Sequence, residues 1–184
     1  MQAPSGEVTA TALQALLKDG VLAGTWVLDP RQSSVRLKTK SVAGLVRVNG
    51  IFREVSGNAA ISADGEVSGT LRVAAASIDT KNTRRDKHLR TADFFDSASY
   101  PDITFSADGI RLSGAGVAVT GALTVRDRTR PLSFGAAASV PGDGEIWLDA
   151  EAHVNRADFG LTWNQLGLIS MHNTLAIHAV FIRR

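Results

Sequence analysis

The chain has 184 residues, a formal charge of +2 and no cysteine. One ordinary domain fits that length, and the charge is too small to make the molecule a general attractor for nucleic acid. Without thiols, disulfide staples, thiolate nucleophiles and Cys-based zinc or iron–sulfur centres are excluded. No run of about 18 apolar residues occurs, so no helix spans a bilayer. Glu7 is the first charge and Lys18-Asp19 interrupts the early apolar residues, unlike a signal peptide. A cytoplasmic location is therefore expected over a periplasmic or secreted one.

Residues 9–19 read as an amphipathic helix, with Ala10, Leu13, Leu16 and Leu17 on one face. Thr11 and Gln14 are spaced for a capping box, and Lys18 and Gly20 suit the C-terminal end. Such a helix packs on the fold, plugs a barrel mouth or makes a dimer contact. It defines an N-terminal extension over 1–24, ahead of a main domain over 25–184.

From Thr25 onward the signal is period two, which sends successive side chains to opposite faces of a strand. Val35, Leu37 and Thr39 alternate with Arg36, Lys38 and Lys40. The pattern returns at Leu71/Val73/Ala75, Ile103/Phe105/Ala107, Val117/Val119/Leu123/Val125 and Leu132/Phe134/Ala136. It returns again at Ile146/Leu148/Ala150/Ala152 and at Leu175/Ile177/Ala179/Phe181. Asn49-Gly50 and Asp64-Gly65 are turn signals, and roughly eight strands follow. Alternation alone does not choose between a sandwich and a closed barrel. The dry faces carry many alanines (Ala75, Ala107, Ala136, Ala138, Ala150, Ala152, Ala179), where a solid core would want bulkier groups. Either these face large partners across a filled core, or they line the lumen of an eight-stranded barrel wide enough for a slender apolar ligand.

Residues 77–105 break the alternation with a run of charges, an aromatic pair and Pro101. Asn82 or Thr83 can cap a short helix reaching about Phe95, with Asp86, Leu89 and Asp93 three or four apart. An acid–base pair of His88 and Asp86 lacks a nucleophile, and residues two apart on a helix do not face one another. A metal site lacks nearby ligands, since His153, His172 and His178 lie far off in sequence. Nucleic-acid binding through this run with Arg126, Arg128 and Arg130 lacks an aromatic stripe for stacking bases. The plainest reading is a helical cap over one end of the sheet, with Arg85 and Asp86 satisfying neighbouring groups.

These stretches resemble the YceI-like family of polyisoprenoid-binding, lipocalin-like proteins over almost everything after residue 24. The opening TWVLDPRQSSVRL and the Gly50-x-Phe52 pair fit the family's start. SIDTKNTRRDKHLRTADFF with YPDITF fits its central signature through Asp79, Thr80, Asn82, Arg85, Asp86, His88, Leu89, Phe94, Phe95, Tyr100 and Pro101. Gly121-Ala-Leu-Thr and Arg156-x-Asp-Phe-Gly then follow in the expected order.

The resemblance implies an all-β, extended eight-stranded antiparallel barrel with a helix beside the Arg-Asp-x-His segment, often dimeric, that binds lipid and catalyses nothing. The expected cargo is a polyisoprenoid, an isoprenoid quinone or precursor, or a fatty acid or amide, held for carriage or storage. The tail would thread past Phe52, Leu71, Val73, Phe94, Phe95, Phe105, Leu123, Phe134, Leu148 and Trp163. Asn82, Arg85 and His88 are the head-group candidates, because Arg offers paired donors to phosphate or carboxylate. No cofactor, metal or nucleic acid is expected; transient membrane contact and a homodimer are. The competing expectation is a ligand-free interaction module with a filled barrel.

Overall fold

The computed structural model describes residues 10–41, 44–113, 116–142 and 144–184. Helix α1 covers Ala10–Lys18, and the strands are β1 (Gly24–Leu28), β2 (Ser34–Ser41), β3 (Val46–Phe52), β4 (Val55–Ile61) and β5 (Val67–Ala74). After them come β6 (Ile78–Asp79), helix α2 (Thr83–Leu89), β7 (Asp102–Ser113), β8 (Gly116–Val125), β9 (Arg128–Gly142), β10 (Glu145–Asn155) and β11 (His172–Arg183).

These eleven segments make eight spans. β1 and β2 pair with the two halves of β11, Leu28 with Phe181 and Val35 with Ile177, so they form one span broken at residues 29–33. β3 and β4 likewise pair with β2 and β1, and β5 and β6 with β4 and β3. The ladder then runs antiparallel through β7, β8, β9, β10 and β11 and returns to β1, which closes the barrel, while the short β6 pairs with β3 alone. The break after β1 is held locally: the Asp29 carboxylate accepts from the Arg31 N–H (2.9 Å) and from Gln32 (2.9 Å). Ser33 binds the Val180 backbone, whose N–H donates to Ser33 Oγ at 3.0 Å.

Inward residues are the expected apolar series. At one end α1 lies across the mouth and buries Leu13 against Leu22, Trp26 and Ile61, so the mouth-plug alternative describes the packing. The expected helix start at Thr9 lies outside the described residues. Thr11 is not a cap, because Ala10 is already helical. Asn49-Gly50 is not a turn either: both lie inside β3. Gly50 is needed for close approach, since a Cβ there would sit 2.8 Å from Ile78 Cδ1 and 3.0 Å from Thr80 Cγ2. Asp64-Gly65 does turn the chain, with Gly65 at φ +80°.

At the other end α2 stops at Leu89 rather than at Phe95. Phe94 and Phe95 are both buried beyond its end. Turns replace it, with the Thr91 hydroxyl donating to the His88 carbonyl (2.7 Å) and the Phe95 N–H to the Leu89 carbonyl (3.0 Å).

Candidate functional site

The interior is hollow. Two cavities follow one another along the barrel, about 250 Å³ at the α2 end and about 130 Å³ at the α1 end. They meet at a waist of Leu71, Phe105, Phe134 and Ile177, which line both, with the two phenyl rings 5.4 Å apart. Leu71, Phe105, Phe134, Leu148 and Ile177 point inward yet are only half-buried, because they face empty space instead of packed atoms. The filled-core expectation is thereby corrected.

The side chains are sorted along the axis. Ala107, Ala136, Ala138, Ala150 and Ala179 line the lower, α1-end chamber, whereas Ala75 and Ala152 are buried outside both. Leu148 lines the lower chamber; Phe52, Val73, Phe94, Phe95, Leu123 and Trp163 line the upper one, and Leu71, Phe105 and Phe134 the waist. All ten expected tail-contact residues thus face the lumen.

The head-group candidates separate. Asn82 is exposed, and its side chain accepts from the Arg85 N–H as the N-cap of α2, so it serves as a helix cap and lines neither cavity. Arg85 reaches the upper chamber, but Nε donates to Thr80 Oγ1 (2.7 Å) and Nη2 to the Thr80 carbonyl (2.9 Å). Asp86 is buried and accepts from the same threonine, N–H at 2.9 Å and hydroxyl at 2.5 Å. Thr80 therefore joins α2 to β6. His88 lines the chamber in T-shaped contact with Phe94 and Trp163 (ring centroids 5.2 and 4.4 Å), with its Nε2 against Asp93 (2.8 Å). It does not pair with Asp86.

Sequence reasoning missed Arg156 as a site residue. It is 7% exposed, follows β10 on the inward face, and lines the upper chamber. Its Nε donates to the Ser170 carbonyl (3.1 Å), and its Nη1 donates to the carbonyls of Leu161 and Trp163. Burial pushes its pKa below the ordinary guanidinium value, yet arginine stays charged. The Arg156-x-Asp-Phe-Gly motif carried the signal: Gly160 takes φ +74°, which lets the chain turn back so that Leu161 and Trp163 present their carbonyls.

Together the fold and the site define a closed, hollow, apolar-lined antiparallel barrel with helices at its two ends. The YceI-like domain model matches residues 26–181, and the chain belongs to that family. Protein YceI of Escherichia coli strain CFT073 is 36% identical over 91 residues, 46% of this chain and 47% of that protein. Protein YceI of Salmonella arizonae is 34% identical over 107 residues, 55% of each chain. The chain thus spans about half the length of the curated relatives it matches. Among solved structures, Burkholderia cenocepacia BcnA superposes with a TM-score of 0.76 at 21% identity, covering 83% of this chain and 98% of that one. A polyisoprenoid binding domain from Saccharophagus degradans gives 0.71 at 17% identity, covering 86% and 98%. These structures share the fold.

Proposed function

We propose that the chain binds one long-chain lipid, a polyisoprenoid or a fatty chain, inside the barrel and carries it. The observation that supports this most is the empty, apolar lumen behind half-buried inward Leu and Phe residues. Each buried methylene contributes about 0.8 kcal/mol, so a tail of about 15 carbons gains roughly 12 kcal/mol before ordering costs of several kcal/mol are subtracted. The polyisoprenoid binding domain of the same fold supports an isoprenoid cargo. A binding role, not catalysis, fits a His88 engaged by Asp93 instead of poised against a nucleophile.

The rim at the α2 end supports a membrane as donor. Leu45 (84% exposed) and Leu166 (88% exposed) project from two loops tied together by the Ser41–Ile169 bridge and by Ser170 N–H donating to the Lys40 carbonyl (2.9 Å). Lys40 and Arg47 sit directly opposite one another beside them, a like-charge pair that an anionic lipid surface would relieve.

Native mass spectrometry of freshly purified protein should show a co-purifying lipid at about one per barrel. Ala136→Trp or Ala150→Trp fills the lower chamber and should abolish uptake of long tails while the β-sheet circular dichroism persists. Undiminished uptake by both folded variants would refute the lumen assignment.

A further inference from the structure

The upper chamber holds more donor capacity than the protein uses. Arg156 Nη2 is buried without a hydrogen-bond partner, and so is the Thr39 hydroxyl oxygen on the same chamber wall. Leu37 pairs with Leu175, so Thr39 and the buried Asn173 take the next inward positions of these two strands. Asn173 in turn pairs with Val154, the inward residue just before Arg156. The three polar side chains therefore gather on one side of the α2 end, while the α1 end stays apolar. None of the described residues lining the upper chamber is acidic.

A guanidinium stripped of water and held by neutral carbonyls and the face of Phe94 (5.7 Å to the ring centroid) is costly, and a buried polar group without a partner costs more still. Nε and Nη1 are already committed, so on this chamber-lining side chain Nη2 alone keeps two uncommitted protons, a match for a single acceptor oxygen that carries negative charge.

We propose that Arg156 and Thr39 form a head-group subsite that selects lipids ending in a carboxylate, held at the α2 end with the tail directed toward α1. The selection rests on the carrier reading above, and it adds the chemical class of the cargo and its orientation.

The test uses the full chain stripped of lipid by organic extraction and refolded. It is titrated with palmitoyl and geranylgeranyl tails, each as free acid, alcohol and methyl ester. The acid should bind about ten-fold or more tighter than its methyl ester, the range of one charge-assisted hydrogen bond. Arg156→Gln should remove that preference and leave the ester's affinity within about two-fold. Because Arg156 also ties three carbonyls, Thr39→Val serves as the variant that keeps the loop intact; it should weaken the acid several-fold and leave the ester unchanged. Equal affinity of acid and ester in the unmodified protein would overturn the subsite while leaving the carrier reading standing. Failure of every acid, alcohol and ester to bind would overturn both.

Discussion

Single residues at the α2 end show how polar groups are held beside an apolar lumen. The Asp79 carboxyl is held down to a pKa of about 2, first by the Lys81 backbone N–H (2.8 Å) and then by Arg53 (2.8 Å from Nε). A depressed carboxyl stabilises the fold above its unfolded value of about 3.9, and that contribution is lost as pH falls through about 2. In a carboxyl NMR titration Asp79 should have its midpoint near 2; Arg53→Ala should raise it, though not to the ordinary value, because the Lys81 N–H remains. Asp86 differs in being buried, with Thr80 as donor twice over. Asp86→Ala leaves both donors and the Arg85 contact unsupported, and denaturant unfolding should show a loss of roughly 2–3 kcal/mol.

The elements divide the labour between closing the barrel and shaping it. Helix α1 gains its place from burial of Leu13 (5% exposed) over the mouth. Leu13→Ala should cost about 2 kcal/mol in chemical denaturation, the low end for a buried leucine because this helix is packed on one side only. Strand β8 shows the opposite constraint. A Cβ at Gly121 would lie 2.2 Å from the Ser106 carbonyl oxygen and 2.7 Å from the Phe105 ring, so the bare backbone there lets Phe105 lie across the waist. The α2 segment was the least legible element in the sequence. Its N-cap at Asn82 follows from residue type, but its end at Leu89 is set by turn hydrogen bonds, the Phe95 N–H to the Leu89 carbonyl among them, that residue spacing does not report.

At the scale of the molecule, the two ends are chemically unlike: alanines and a helix at one, aromatic rings, a buried cation and exposed leucines at the other. An amphiphile has the same polarity. If the leucine rim meets the membrane, Leu45→Ser with Leu166→Ser should slow lipid transfer from anionic vesicles several-fold and leave the equilibrium affinity for lipid unchanged. Equal transfer rates in a fluorescence transfer assay would remove the rim from the cycle.

Period-two alternation by itself determined which side chains face inward, since a strand offers only two faces and water claims the charged one. The inward alanines likewise marked the interior as underfilled, whereas Phe94, Phe95 and Trp163, which lie in turns and loops, were expected in the lumen only through the family resemblance. Only the tertiary structure decided that Arg156 joins Thr39 and Asn173 in one chamber, because they stand on three different strands or loops brought together by barrel closure. It also decided that Asn82, adjacent in sequence to the candidate site, spends its carbonyl on a helix end. Hydrogen-bond partners are a property of three-dimensional neighbours, and linear spacing reports them only within a turn or two of the chain.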